Sequence, residues 1–323
     1  MVKAAIFGAA GQIGSPLSLL LKSSNLLTEL SIYDVVNAPG VATDLNHIDT
    51  PAKVTGYLSS DNNGLQMALN GADIVIIPAG IARKPGVTRD DLFQNNAKVI
   101  KDLVTGVAKF CPRAFVLIIT NPINSTLPIA VEVLKRHNVL DPQRVFGATT
   151  LDVVRASTFL AHVLQSDNPK DFKIPVVGGH SGSTILPLYS QCKPSGTLNM
   201  EELDSLTHHK IGFQFGGDKI VQVKVGAGSA TTCMAYVAVR FVNSLLTAIF
   251  GPEGSIEEAY IAETLGVDYF AVPVDLGSQG LVRALGIGEL SKYERHLLEF
   301  ALPRLRKDIE KGLKFSKGKG IDN

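Results

Sequence analysis

Residues 3–14 read KAAIFGAAGQIG, and this stretch decides the fold of the first half of the chain. Residues 4–7 form a short apolar run, glycines follow at positions 8, 11 and 14, and a helical stretch occupies residues 16–21. A buried strand, a glycine turn and a helix start make the corner that binds pyrophosphate in dinucleotide folds. Glycine permits the tight turn, and the helix N-terminus offers unpaired N–H groups to the anion.

A second apolar strand, residues 30–34, ends in Asp34, about 20 residues beyond the loop, where a carboxylate would meet a ribose hydroxyl. Asp34 would also repel the additional phosphate of NADP. The alternative is that the glycines form a purely structural turn and that Asp34 is an ordinary strand end. We favour a dinucleotide site with NAD as cofactor, built on Gly8, Ala9, Ala10, Gly11, Gln12, Ile13, Gly14 and Asp34.

Alternating elements extend this pattern to residue 148. Apolar runs predict strands at 53–58, 73–77, 114–120 and 145–148, and helical spacing predicts helices at 41–48, 91–110 and 127–137. Strands and helices in alternation are typical of a doubly wound parallel sheet. We therefore predict an α/β protein with a Rossmann-type NAD-binding domain over residues 1–148.

In the second half of the chain the regular alternation of strands and helices ends. Helices are predicted at 151–164, 201–223, 228–250 and 291–313, with strand-like segments at 172–177 and 269–274. These elements predict a mixed α+β domain over residues 149–323 that holds the substrate and the catalytic groups. The apolar stretch 229–250 contains Arg240 and Asn243, and these polar residues favour a buried helix over a membrane span.

Charge and cysteine content limit the kinds of partner and compartment that fit this protein. The 323 residues carry a net charge of +1, so no broad field attracts nucleic acid or an acidic membrane. Cys111, Cys192 and Cys233 are far apart and show no zinc spacing, so no metal site is expected and a reducing compartment fits best. Residues 1–8 lead directly into the first strand. We expect a cytoplasmic protein, with the mitochondrial matrix after presequence removal as the alternative.

Residues 78–91 form a loop with two arginines. In open α/β sheets ligands bind at the carboxyl ends of strands, so the loop after strand 73–77 lies at the mouth of the cleft. Thr88 and Asp91 have the spacing of a capping box, which would place Arg89 on a helix start, whereas Arg83 lies between glycine and proline. Guanidinium groups bind carboxylates with two parallel bonds, although surface loops often carry arginine without a function.

A histidine and an aspartate complete the candidate chemistry. His180 follows a strand and two glycines, a place over a cleft rather than inside a core. An imidazole exchanges a proton with an alcohol near neutral pH, and a carboxylate behind it fixes the tautomer. Asp152 and Arg155 share one helix face, and the simpler interpretation of that pair is a helical salt bridge.

Together these motifs resemble the malate dehydrogenases of the mitochondrial-like branch of the lactate/malate dehydrogenase family. The resemblance covers essentially the whole chain, in order, and rests on residues 8–14, 34, 81–89, 120–125, 151–155 and 178–182. It implies NAD-dependent interconversion of (S)-malate and oxaloacetate, the dehydrogenation of the tricarboxylic acid cycle. It also implies a homodimer or homotetramer.

The resemblance assigns roles to individual residues. His180 would accept the hydroxyl proton, oriented by Asp152. Arg155 would hold the carboxylate beside the reacting carbon. Arg83 would hold the distal carboxylate. Arg89 and Asn121 would contact the reacting oxygen and the distal end of the substrate. Further cofactor contacts are implied at Asn96, Ile119, Thr120, Asn121 and Met234. The peptide bond Asn121–Pro122 would be cis, and Gln12 departs from the glycine common at its position.

Three alternatives stay open at this point. A lactate-type 2-hydroxyacid dehydrogenase would share the fold but lack the role of Arg83. A short-chain dehydrogenase or sugar epimerase would use a Tyr-x-x-x-Lys pair, and Tyr189 and Lys193 have that spacing. A non-catalytic NAD-binding sensor would keep only the nucleotide corner.

Overall fold

The computed structural model describes residues 2–81, 89–195, 198–199, 201–202, 216–225, 228–251, 254–264 and 267–318. The strands are Lys3–Phe7 (β1), Glu29–Asp34 (β2), Lys53–Leu58 (β3), Ile74–Ile77 (β4), Phe115–Ile118 (β5), Val145–Ala148 (β6), Val176–Gly178 (β7), Ile185–Pro187 (β8), Ser255–Thr264 (β9), Val267–Gly277 (β10) and Gly280–Ala284 (β11). The α-helices are Gly14–Lys22 (α1), Ala38–Leu45 (α2), Gly64–Leu69 (α3), Arg89–Phe110 (α4), Ile123–Arg136 (α5), Thr150–Val163 (α6), Gly216–Val223 (α7), Thr232–Phe250 (α8) and Lys292–Lys317 (α9).

The first six strands are parallel and lie in the order β3-β2-β1-β4-β5-β6. This is the strand order of dinucleotide-binding folds. Every residue of β4 and β5 is buried, as expected for strands with helices on both faces. The predicted α/β fold with a Rossmann-type doubly wound sheet is confirmed.

The sheet continues into the second half of the chain. Gly147 and Ala148 of β6 pair antiparallel with Tyr260 and Ala259 of β9, and β10, β7 and β8 follow in order, with β11 on β10. One hydrogen-bonded sheet therefore crosses residue 148. The division into domains 1–148 and 149–323 stays a prediction.

Two strand predictions in the second half were wrong in extent. Strand β7 begins only at Val176, because Pro169–Asp171 is a 3-10 turn and Pro175 has no N–H to donate to a ladder. The predicted short segment 269–274 lies inside the 11-residue β10, which pairs along its length with β9. The charge of Glu257 hid β9 from the apolar pattern, but Arg240 binds this buried carboxylate with two contacts of 3.0 Å.

Several helix boundaries also differ from the prediction. Helix α2 starts at Ala38 rather than 41, with Pro39 in its first turn, where proline is favourable. Helix α5 starts at Ile123 rather than 127, although Asn124, Ser125 and Thr126 are poor helix formers. Helix α3 was not predicted. The helix predicted over 201–223 lies largely outside the described residues, and α7 is its end.

Helix α8 is, among the described residues, the one helix long and apolar enough by length and composition to cross a membrane. It packs against α1, β9 and β10, and its buried residues form one face. Arg240 on this helix binds Glu257 of β9. In this structure α8 is a helix of the protein core.

Candidate active site

The glycine loop after β1 has the geometry of a nucleotide corner. Gly8 has a φ of +94°, which favours glycine, and a Cβ there would lie 2.7 Å from Cα of Ala79. A Cβ on Gly14 would overlap the carbonyl oxygen of Gly8. The loop closes through a bond of 3.2 Å from N of Gly11 to the same oxygen. Both glycines are thus required for the close turn between β1 and α1.

Asp34 is tied directly to this loop. Its Oδ2 accepts from N of Ala10 at 2.8 Å, and its Oδ1 accepts from N of Val35 at 2.7 Å. Helix α1 begins after Ile13, whose side chain makes no capping hydrogen bond. N–H groups at that helix start remain suited to a phosphate anion. The corner therefore fits a dinucleotide, with a carboxylate held at the predicted ribose position.

The segment before α8 approaches the same loop. A Cβ on Gly228, whose φ is +104°, would lie 2.7 Å from Oε1 of Gln12. Met234 is buried in the first turn of the helix that follows. Gln12 therefore reaches toward the second half of the chain. Gln12 is also the residue at which this loop departs from the glycine common in the family.

Side chains of Asn96 and Thr120 make hydrogen bonds to the backbone just beyond the carboxyl ends of β4 and β5. The buried amide of Asn96 accepts from N of Ile81 at 2.7 Å and donates to O of Asn121 at 2.8 Å. Oγ1 of Thr120 donates to O of Ala79 at 2.7 Å. Ile119, the residue before Thr120, is also buried. These side chains shape the cleft, and their predicted contacts with the cofactor stay predictions.

Asn121 lies at the exposed end of this arrangement. The predicted cis bond between Asn121 and Pro122 is confirmed, and Pro122 is the N-cap of α5. A second cis bond joins Lys193 and Pro194. Asn121 therefore lies between the carboxyl end of β5 and the buried start of α5.

His180 and Asp152 are brought together as predicted. Asp152 lies in the first turn of α6 and is buried, and His180 follows β7 with 8% of its side chain exposed. Nδ1 of His180 lies 2.5 Å from Oδ2 of Asp152. Nη1 of Arg155 lies 3.8 Å from Oδ1 of the same carboxylate, an ion-pair contact too long for a hydrogen bond. The contact with Asp152 leaves Nε2 as the ring nitrogen that can exchange a proton.

The loop that carries His180 depends on residues that the sequence analysis did not identify. N of His180 donates to Oδ1 of Asn124 at 2.7 Å, and Nδ2 of Asn124 donates to Oδ2 of Asp308 at 3.0 Å. Asn124 lies in the motif of residues 120–125, so its position offered a signal. Asp308 lies among many charged residues of α9 and offered none.

Part of the predicted substrate site lies outside the described residues. This applies to Arg83, to Thr88 with its predicted capping box, and to the side chain of Arg89. Arg89 is the first residue of α4, which directly follows the loop.

Tyr189 and Lys193 do not form the alternative catalytic pair. Tyr189 is buried in a core cluster with Val153, Phe172 and Cys192. Burial strongly raises the pKa of its phenol, so the group stays protonated near neutral pH and cannot accept a proton from an alcohol. This geometry argues against the short-chain dehydrogenase alternative.

The described residues contain no group of three or more histidine, cysteine or carboxylate side chains that could hold a metal ion. Cys111, Cys192 and Cys233 form no disulfide in the described structure, and Cys111 and Cys192 are buried.

Contacts connect the glycine corner to His180. Gly8 packs against Ala79, Ala79 is bound by Thr120, and the short segment from Thr120 to Asn124 leads to the residue that holds His180. The nucleotide corner and the proton-exchanging pair are thus linked by a short series of contacts at the strand ends, where open α/β sheets bind their ligands. Such a position can hold a dinucleotide beside an alcohol or carbonyl substrate.

Two family models match the chain in succession. Residues 2–147 match the model described as lactate/malate dehydrogenase, NAD binding domain, and residues 149–316 match the one described as lactate/malate dehydrogenase, alpha/beta C-terminal domain.

Relatives and solved structures agree with these matches. The chain is 50% identical to the mitochondrial malate dehydrogenase of Caenorhabditis elegans, over 98% of this chain and 91% of the relative. It is 50% identical to the glyoxysomal malate dehydrogenase of Cucumis sativus, over 98% and 87%. The crystal structure of Cryptosporidium parvum malate dehydrogenase superposes with a TM-score of 0.81 and 31% identity, over 97% of this chain and 99% of that one.

Proposed function

This chain belongs to the lactate/malate dehydrogenase family, and we infer that it catalyses the NAD-dependent interconversion of (S)-malate and oxaloacetate. It is an oxidoreductase with NAD as cofactor. The observation that carries this function in the structure is the pair of His180 and Asp152, 2.5 Å apart, beside Arg155. A base and a cationic group that contact the same carboxylate suit a hydroxy acid substrate.

This geometry supports the following roles for the catalytic residues. NAD, when bound, supplies the acceptor for the hydride that leaves the alcohol carbon of malate. His180 removes the hydroxyl proton and returns it in the reverse direction. Asp152 keeps the proton of the neutral ring on Nδ1 and stabilises the imidazolium. Arg155 holds the carboxylate beside the reacting carbon.

We assign the rest of the substrate site to Arg83, Arg89 and Asn121. The position of Asn121 at the end of β5 and of Arg89 at the start of α4 supports this assignment. For the cofactor we assign Gly8, Ala9, Ala10, Gly11, Gln12, Ile13, Gly14, Asp34, Asn96, Ile119, Thr120, Asn121 and Met234. The loop geometry and the bond from Ala10 to Asp34 support the nucleotide end of that set.

A spectrophotometric assay tests the function. Purified protein with NADH should reduce oxaloacetate rapidly and pyruvate poorly, because pyruvate lacks the distal carboxylate that we assign to Arg83. Faster reduction of pyruvate would favour the lactate-type alternative. Tight NADH binding without turnover of either acid would favour the sensor.

Arg83→Gln is expected to lower the preference for oxaloacetate over pyruvate, measured as the ratio of kcat/KM values, by at least about 100-fold. Glutamine keeps a polar side chain but loses the two charge-assisted bonds to the distal carboxylate. Lys84→Gln, which removes the neighbouring cation of the same loop, is the matched control and should keep the preference. An unchanged ratio in Arg83→Gln would refute the role of Arg83.

Two further proposals concern the oligomeric state and the cellular location of the protein. We propose a homodimer or homotetramer, because Leu19 and Leu20 of α1 and Tyr236 of α8 are exposed on helices that pack together. Sedimentation would refute this if the protein is a monomer at micromolar concentration.

We propose an organellar location rather than the predicted cytoplasmic one, because the similar relatives are named mitochondrial and glyoxysomal. Imaging of the tagged protein in its own cells would test it.

A further inference from the structure

Helix α9 crosses the start of α5 at very short range. A Cβ on Gly312 would run into the carbonyl oxygen of Ser125, so glycine is needed at the crossing. Oγ of Ser125 donates to the backbone oxygen of Asp308 at 2.7 Å. These contacts fix the backbone position of Asp308, one turn before Gly312, against the first turn of α5.

The carboxylate of Asp308 faces the loop that carries His180. Its Oδ2 accepts from Nδ2 of Asn124 at 3.0 Å and from Oγ of Ser181 at 3.2 Å. Asn124 is fully buried, and its Nδ2 also lies 2.9 Å from Oγ of Ser181 and 3.3 Å from Oγ1 of Thr184. A single buried amide thus joins α9 to the loop.

The orientation of this amide decides whether His180 is held. N of His180 needs an acceptor, so Oδ1 of Asn124 must point at it and Nδ2 must point away. The hydroxyls of Ser181 and Thr184 can donate or accept, so they do not select an orientation. An ionised carboxylate can only accept. Asp308 therefore selects the orientation of Asn124 that the N–H of His180 requires.

We propose that Asp308 is a positioning residue for catalysis, which acts through the amide of Asn124 to hold the backbone of His180 in place. This inference rests on the proposed function of His180. Gly179 supports it, because a Cβ there would lie 2.8 Å from Oδ1 of Asn124, so the loop follows the amide closely. A displacement of about 1 Å in a catalytic group can cost roughly 100-fold in rate.

The test compares Asp308→Ala with Asp308→Asn. Alanine removes the acceptor, and kcat for oxaloacetate should fall about 10- to 100-fold with KM changed less than about threefold. Asparagine offers one oxygen that can accept from both donors, so kcat should stay within about threefold of the wild type. Glu310→Ala on the same helix is the control, because Glu310 is exposed and pairs only with Lys314 among the described residues.

Measurements without substrate separate positioning from general stability. Asp308→Ala should keep NADH affinity and cooperative thermal unfolding, while the ring signals of His180 in the NMR spectrum broaden or split. The signals are assigned by their absence in His180→Asn. Unchanged kcat in Asp308→Ala, or a loss that only matches a loss of folded protein, would overturn the proposal.

An exchange of the two groups covers the case in which Asp308→Ala does not fold. Asn124→Asp sets two carboxylates against each other and should lower kcat, whereas Asn124→Asp with Asp308→Asn restores one acceptor and one donor and should recover it. No recovery in a folded double variant would overturn the proposal. A wild-type protein without malate dehydrogenase activity would instead refute the proposed function.

Discussion

His180→Asn is expected to lower kcat for oxaloacetate reduction about 10,000-fold and to leave NADH affinity unchanged. Asparagine can occupy the position beside Asp152, but its amide neither takes up nor releases a proton near neutral pH. The ring lies at the end of β7, outside the glycine corner of β1, so the nucleotide contacts are preserved. Steady-state kinetics and NADH fluorescence titration measure the two quantities.

His137→Asn is the matched control for this variant. His137 is exposed after α5 and has no contact with the cleft in the described structure, so its loss should not change kcat. If His180→Asn keeps more than about a tenth of the wild-type rate, another group moves the proton and the assignment is wrong.

Asp152→Asn is expected to lower kcat about 1,000-fold, less than the loss of His180 itself. The asparagine amide can present its NH2 group to Nδ1, which favours the ring tautomer with the proton on Nε2. That tautomer cannot accept the hydroxyl proton of malate. The variant also removes the negative charge that stabilises the imidazolium, so kcat should fall in the direction of oxaloacetate reduction as well.

Stability has to be separated from catalysis in this variant, because Asp152 is buried. Breaking a buried ion pair can cost about 3–5 kcal/mol of unfolding free energy. Calorimetry should therefore accompany the kinetics, with Asp171→Asn, an exposed carboxylate, as the control. A folded Asp152→Asn enzyme with wild-type kcat would show that the carboxylate is structural only.

Local sequence patterns were sufficient for the parallel half of the sheet. Strands buried on both faces, such as β4 and β5, leave continuous apolar runs. The predicted bounds of β6 and of the edge strand β3 coincide with the observed ones. His180 was recognisable because strand, glycines and histidine are adjacent in the chain. The pair with Asp152 was inferred from the chemistry of histidine and from the family resemblance.

Interactions between distant segments were not predictable in the same way. Strand β9 contains Glu257, whose burial depends on Arg240 in another element. Helix α5 starts at residues of low helix propensity because Asn124 and Ser125 find partners near His180 and on α9. Asp308 has its role only through a contact 184 residues away, which no periodicity reveals.

The pairing of β6 with β9 has a consequence for any attempt to express the first half alone. In a fragment ending at Ala148, β6 would be an exposed edge strand, with unpaired backbone N–H and C=O groups beside apolar side chains. Such a fragment should self-associate, and adding back the remainder of the polypeptide should restore solubility. Cutting the gene at this point would divide one hydrogen-bonded sheet, and β6 and β9 would each lose a neighbouring strand.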